Sequence, residues 1–219
     1  MMAFRRVLLA GFEPFGGEQV NPSHVLLREL GGERISGHRI EPLCLPVNFT
    51  RAGALLCDAI DACRPQVVLC VGQAGGRSRL SFERVAINLI DARIADDEGL
   101  QPTDCPVVMG GPAAYFSSLP VKRMQAACHA AGVPAELSFS AGSYVCNAVF
   151  YQLMHHIRTA PAENCRAGFV HVPWLPEQAI HHVQSASMSL DLLCKGIGIA
   201  IESALLHTED GSIIGGNEH

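Results

Sequence analysis

Val67-Val68-Leu69-Cys70-Val71, running straight into Gly72-Gln73-Ala74-Gly75-Gly76, is the stretch that decides the fold. Five consecutive apolar residues show no alternation, so a strand here must be covered on both faces. That is the habit of a parallel strand held between two helical layers. Arg6–Ala10, Ile40–Leu45, Ala135–Phe139 and Gly168–Val172 read as further strands, and three of the five runs are near-continuously apolar. Between them Ser23–Leu30, Thr50–Cys63, Val121–Ala131, Ser143–Arg158 and Glu177–Leu206 read as helices. In Ser143–Arg158 the residues Val145, Val149, Leu153 and Ile157 recur every fourth position as a stripe to be buried, and Gly132-Val133-Pro134 stops one element and starts the next. The order β-α-β-α-β, an insertion, then α-β-α-β-α predicts an α/β sandwich with a mostly parallel sheet. The insertion, Gln73–Tyr115, divides into an alternating stretch, Leu80–Ile94, expected to be extended, and a turn-rich stretch, Ala95–Pro112, expected to be a surface loop. Residues 1–208 are expected to form one domain and 209–219 a flexible tail.

Of the 219 residues 48% are apolar and 17% charged, which is ample for a buried core and argues against global disorder. The formal charge of −5 is scattered, and no Lys/Arg run could track a phosphate backbone, so nucleic acid is excluded as a partner. Arg5-Arg6 precedes an apolar stretch, but Val7–Ala10 is too short for a signal h-region and runs into Glu13-Pro14; it reads as the first core strand. No apolar run reaches the roughly eighteen residues of a membrane-spanning helix. None of the nine Cys forms a C-x-x-C pair, and several lie in apolar runs, which points to a reducing cytoplasm.

In open α/β sheets sites form beyond the carboxyl ends of the strands. That rule nominates Gly11–Pro22, Gly72–Arg79, Ser140–Asn147 and His171–Trp174. Cys146 stands out because Ser140–Asn147 follows a strand and opens a helix. With Ser143 as N-cap, Cys146 falls at about the third helical position, where free N–H groups and the helix dipole favour a thiolate. The alternative is a buried Cys on an apolar helix face. His171 interrupts the apolar strand Gly168–Val172 near its carboxyl end. It is either a satisfied core residue or, if its strand neighbours the one before Cys146, the base of a nucleophile–base pair. Glu83 shares an extended apolar face with Val85, Ile87 and Leu89, so it needs a partner: Arg77, Arg79, Arg93 or an imidazolium. Gly72–Gly76 lacks the Lys-Ser/Thr of a phosphate loop. His155-His156 and His181-His182 are adjacent pairs that point apart on helices, so no metal and no cofactor are expected.

At these same residues the sequence resembles the pyroglutamyl peptidase I (pyrrolidone-carboxylate peptidase) family. The resemblance is carried, along most of the chain, by Gly11-Phe12-Glu13-Pro14-Phe15-Gly16-Gly17 with Asn21-Pro22-Ser23, and by Gly72-Gln73-Ala74-Gly75-Gly76-Arg77. It continues through Glu83–Asn88 to Asp91–Ile94, Ser140-Ala141-Gly142 with Tyr144-Val145-Cys146-Asn147, and His171-Val172-Pro173 before Leu175–Gln178. The resemblance implies a three-layer α/β/α sandwich similar to the purine nucleoside phosphorylases and a cysteine peptidase without cofactor. Its substrates would be small peptides with an N-terminal pyroglutamyl residue, and its assembly a homotetramer. It implies catalytic Cys146, His171 and Glu83, a lactam pocket of Phe12, Phe15, Tyr144 and Val145, and lactam hydrogen bonds from the backbone of Gln73. Arg93, followed by Ile94, would lie near the oxyanion. Two positions depart from the pattern: Tyr144 stands where relatives often carry Phe, and Val47 where they often carry Thr. A nucleoside phosphorylase relative would need a phosphate site, and a non-catalytic binding module would not need all three catalytic candidates.

Overall fold

The computed structural model describes residues 5–160 and 165–215. Along the chain run β1 (Arg6–Phe12), α1 (Pro22–Leu30), β2 (Arg34–Ile35), β3 (His38–Leu45), α2 (Arg51–Cys63), β4 (Val67–Gln73), β5 (Leu80–Glu83) and β6 (Val85–Ile87). They are followed by β7 (Ala114–Phe116), α3 (Val121–Ala130), β8 (Ala135–Ser138), α4 (Val145–Thr159), β9 (Arg166–Val172), α5 (Pro176–Ala179) and α6 (Leu190–Leu206). Seven strands form one sheet in the order β2-β3-β1-β4-β9-β5-β8, and β6 pairs with β7 in a small separate ribbon. Within the seven-stranded sheet pairing is parallel except at the edge hairpin β2–β3 and between β5 and β9, and the β6–β7 ribbon is antiparallel.

The uninterrupted apolar runs do what parallel, doubly covered strands require. Along β4, Val67, Leu69 and Val71 join the core beneath α1, α3 and α6, whereas Val68 and Cys70 join the one beneath α2 and α4. The same period-2 alternation sends Val170 and Val172 of β9 to the first core and Ala167 and Phe169 to the second. In β5, Leu80 and Phe82 enter the first core. By alternation Gly72, His171 and Glu83 therefore all face the α2/α4 layer.

Three expectations are corrected. The strand of His171 does not neighbour the strand before Cys146: β5 inserts between them, antiparallel to β9 and parallel to β8. The alternating stretch Leu80–Ile94 does give strands, β5 and β6, but not one continuous face, because the chain leaves the main sheet at Arg84 and re-pairs as β6 with β7. Glu83 consequently shares no continuous face with Val85 and Ile87. The helix expected over Glu177–Leu206 is two, α5 and α6. Between them the polar run His181–Ser187 forms turns, with Gln184 at a φ of 63°, and Ser189 restarts the helix by accepting a hydrogen bond from the Leu192 N–H. In the tail, Asp210 Oδ1 accepts from the N–H groups of Lys122 (2.8 Å) and Arg123 (3.3 Å), capping α3. Residues 216–219 lie outside the described residues. Among the described residues no helix is long and apolar enough to cross a membrane.

Candidate active site

Every element that reaches the site does so at a strand's carboxyl end. The loop after β1 is fixed by short polar links: the Phe12 N–H donates to Ser23 Oγ (2.9 Å), Ser23 Oγ–H to Asn21 Oδ1 (2.8 Å) and Asn21 Nδ2 to the Glu13 carbonyl (2.9 Å). Gly16 and Gly17 turn the chain at φ of 64° and 85°, where a side chain would be strained. This presents Phe12 and Phe15 to a small cavity lined by Phe12, Phe15, Asn21, Val47, Gln73, Tyr144, Val145 and Cys146. The ladder between β1 and β4 ends at Cys70, so the backbone of Gln73 has no ladder partner on that side. The Gln73 side chain is taken up elsewhere: its Oε1 accepts from Gln178 Nε2 (3.0 Å), and the same amide reaches the Val20 carbonyl (3.0 Å). Beyond it His182 stacks on Trp174 with ring centroids 3.8 Å apart and bonds Glu18 (2.8 Å). This imidazole is the chief reason that the Glu18 carboxyl lies below its ordinary range.

At the other end of the cavity stands Cys146, second residue of α4. Ser143 does not cap the helix. Tyr144 occupies the N-cap position without a side-chain cap bond, and Ser143 Oγ–H donates instead to the Asp91 carbonyl (2.8 Å). The first turn of α4 is tied down by Asn147, whose amide donates to the carbonyls of Ile87 (2.9 Å) and Leu89 (3.0 Å) and accepts from the Ile87 N–H (3.0 Å). The early N–H groups of α4, that of Cys146 included, have no intrahelical partner. A Cβ added at Gly72 would come within 2.9 Å of Cys146 Sγ and 2.8 Å of the Phe169 ring. The thiol thus nests on bare backbone, and Gly72 is the ladder partner of His171.

His171 and Glu83 are brought together. Phe169 is the direct ladder partner of Glu83, which leaves His171 diagonal to it, and the His171 Nδ1–H donates to Glu83 Oε1 (2.7 Å). That bond holds the proton on Nδ1 and leaves Nε2 as the basic nitrogen. Both residues are buried, at 4% and 0% exposure, so the carboxylate needs compensation. It comes from Arg77, whose Nη1 donates to the same Oε1 at 2.8 Å while its Nη2 reaches the Ser140 carbonyl at 3.1 Å. Glu83 therefore has two of the partners that the sequence allowed, Arg77 and the imidazole, and neither Arg79 nor Arg93. Its Oε2 is buried without a partner among the described residues.

The thiol is not the low-pKa group that a helix start alone would make. Burial pushes Cys146 up to about 12, the nearby Glu83 charge adds to this, and Arg77 pulls it part of the way back. Desolvation of the sulfur outweighs the helix end and favours the neutral thiol. Among the described residues the thiols with a hydrogen-bond partner are Cys128 and Cys165, so Cys146 is not yet bonded to the imidazole. Of the other expected pocket residues, Tyr144 lines the cavity with its hydroxyl donating to the Ala95 carbonyl (2.9 Å) and its ring edge-on to Phe49 (centroids 5.2 Å apart). Burial and the charges of Asp96 and Asp97 push this phenol up to about 12, so it stays a donor. Arg93 and Ile94 are exposed and do not line the cavity. Val47, one of the two positions that depart from the family pattern, lines it, as does Asn21, which was not singled out as a site residue. Among the described residues no group of three or more His, Cys, Asp or Glu could hold a metal ion.

Comparison with known proteins meets this geometry. The pyroglutamyl peptidase family pattern matches residues 5–207. The chain belongs to the pyroglutamyl peptidase family. It is 48% identical over 215 residues to the pyrrolidone-carboxylate peptidase of Cupriavidus necator, covering 98% of this chain and all of that one. It is 50% identical over 197 residues to that of Gloeobacter violaceus, covering 90% of this chain and 95% of the relative. The crystal structure of pyroglutamyl peptidase I from Bacillus amyloliquefaciens superposes with a TM-score of 0.90 at 43% identity, covering 94% of this chain and 97% of that one. A mutant pyrrolidone carboxyl peptidase from Pyrococcus furiosus gives 0.88 at 41%, covering 92% of this chain and 98% of that one.

Proposed function

We propose that the protein is a cysteine peptidase that releases an N-terminal pyroglutamyl residue from peptides, with Cys146 as nucleophile, His171 as acid and base, and Glu83 orienting the imidazole. The observation that carries this reading is the convergence on one sheet face of Cys146, Gly72, His171 and Glu83 beside a small, mostly apolar cavity. Pyroglutamate has no free α-amine, so a pocket must recognise the lactam ring by shape and a few amide contacts. Phe12, Phe15, Val47 and Val145 supply the shape, and the backbone of Gln73, without a ladder partner on the cavity side, supplies amide contacts.

Chemistry starts from the neutral pair. His171 Nε2 takes the proton of Cys146 as sulfur bonds to the carbonyl carbon that joins the ring residue to the next amino acid. The backbone N–H of Cys146 faces the oxyanion that forms. The C–N bond breaks, and the Nε2 proton passes to the departing amine, leaving a thioester. Water then attacks the thioester with His171 as base, the C–S bond breaks, the proton returns to sulfur and free pyroglutamate leaves. Throughout, Glu83 stabilises the charge on the imidazole. A fluorogenic pyroglutamyl amide tests this: hydrolysis is expected with that acyl group and not with the prolyl or glutamyl amide. Absence of hydrolysis by folded protein contradicts it.

The protein is also inferred to act in the cytoplasm as a homotetramer. Nine free cysteines suit a reducing compartment. The exposure of Val183 (91%), Ile180 (76%) and Phe116 (65%) suits burial against further copies. Light scattering on the purified protein and fractionation of cells check these two points.

A further inference from the structure

The acid of the site carries one positive charge too many for a simple triad. Arg77 Nη1 and His171 Nδ1 meet on a single oxygen of Glu83, at 2.8 and 2.7 Å, while the second oxygen is buried and unpartnered. A carboxylate with no exposure, shared in this way, still attracts a protonated imidazole, but the guanidinium on the same oxygen repels that charge and offsets part of the attraction. We infer that Arg77 sets the charge state of the Cys146–His171 pair: by balancing Glu83 it keeps thiol and imidazole both neutral until substrate arrives, rather than as a standing ion pair. Arg77 is thus a positioning residue that acts by its charge on the Glu83–His171–Cys146 group and touches no reacting atom. The inference rests on reading Cys146 and His171 as nucleophile and base.

The surroundings of His171 leave few other groups to do this. From β5 it faces Glu83, and Ser81 is its ladder partner. The Ser81 hydroxyl donates to Glu136 of β8 at 2.7 Å, and that carboxylate is common to every variant compared below. From β4 it faces only Gly72, which has no side chain, and from its own strand the Phe169 ring with centroids 4.9 Å apart. Beyond Gly72 lies Cys146 of α4, and beyond Glu83 lies Arg77 of the turn between β4 and β5. The site in its resting protonation state then sums to zero: one carboxylate, one guanidinium, a thiol and an imidazole. The raised thiol agrees, since Arg77 pulls it down against Glu83. The competing role, a mere anchor of the loop before Cys146 through the Ser140 carbonyl, involves the same residue but no charge.

Two pH profiles separate these roles: the iodoacetamide labelling rate of Cys146, read by mass spectrometry, and kcat/KM for a pyroglutamyl amide. Arg77→Gln removes a positive charge next to the pair, so protons are held more tightly. The acid limb of both profiles should move up by about one pH unit or more. Arg77→Lys keeps the charge and should leave the limb in place even though it loses the fork to Ser140. If Arg77→Gln leaves Glu83 too poorly compensated to fold, the same removal in a Glu83→Gln background should still raise the limb relative to Glu83→Gln alone. An unmoved limb in Arg77→Gln or in the double variant, or an equal shift in Arg77→Lys, overturns the inference. Should the wild type label at Cys146 yet cleave no pyroglutamyl amide, the function fails, and the labelling profile still decides the role of Arg77.

Discussion

The two ends of the cavity are built on opposite principles. The ring end, Phe12, Phe15, Val47, Tyr144 and Val145, is apolar and owes its shape to loops stapled by Ser23, Asn21 and Gln178. The catalytic end, Glu83, Arg77, His171 and Cys146, is charged or titratable, and apart from Arg77 in its turn it is held by regular strands and a helix start. The difference teaches where binding and chemistry separate. Changes at the ring end should move KM, and changes at the catalytic end should move kcat at nearly unchanged KM.

The sharpest break in this comparison comes from Glu83→Gln, which keeps a neutral hydrogen bond to His171 but leaves Arg77 as the uncompensated charge. kcat should fall by roughly 10³- to 10⁴-fold, as when another triad acid is neutralised. A kcat near that of the wild type would leave a Cys–His pair without an acid. Gly72→Ala comes next. Its Cβ would meet Cys146 Sγ at 2.9 Å and the Phe169 ring at 2.8 Å, so sulfur or ring must move. A displacement of about 1 Å costs on the order of 100-fold in kcat. Normal kcat with only a lowered Tm would mean that the thiol is not held against this backbone.

At the ring end the expected effects are smaller and lie in KM. Phe15 is only half-buried and should act mainly on binding, so Phe15→Ala should raise KM about tenfold at little cost in Tm. Phe12 is 2% exposed and packs against Phe169, so Phe12→Ala should also destabilise by about 3–5 kcal/mol. Tyr144→Phe removes one hydrogen bond to the Ala95 carbonyl, worth about 1 kcal/mol, and should raise KM by about fivefold. If any of these three ring-end variants lowered kcat instead, the separation of the two ends would not hold.

The smallest effect is on stability against pH. Burial lifts Cys57, Cys128 and Cys165 to about 11 and Cys146 to about 12, from 9.0 in the unfolded chain. Raised values favour the protonated folded state. The stabilisation is therefore whole below pH 9 and is lost as pH climbs through 11 and 12. Glu18, lowered by His182, works the other way, and its contribution fades as pH falls through the acid range. Tm measured against pH should decline above pH 9, and a flat profile up to pH 12 would be at odds with these buried thiols.

How much of this the sequence carries follows from which interactions are local. Apolar runs such as Val67–Val71 and Gly168–Val172 announce doubly covered strands, because covering both faces needs no knowledge of neighbours. The insertion of β5 between β9 and β8 is not legible, since pairing partners are a long-range choice that local pattern does not encode. The break at Arg84, where Val85–Ile87 leave for β7, escapes for the same reason. Cys146 is visible from its helix start, but its raised pKa is not, because desolvation depends on what packs around the thiol. Arg77 stands in the Gly-rich turn in plain view, and only the three-dimensional meeting of two donors on Glu83 Oε1 gives it a role. Gln178 is similar, a polar residue on a short helix whose burial at 3% reveals it as the brace of Gln73.

The central claim, a covalent acyl-enzyme on Cys146, is tested most directly by rapid acid quench during turnover of an activated pyroglutamyl ester, followed by peptide mass spectrometry. The account predicts the mass of one pyroglutamyl group on the peptide containing Cys146, lost on treatment with hydroxylamine and absent from Cys146→Ser. Turnover with the adduct on another residue, or with a fully active Cys146→Ser protein, would contradict it.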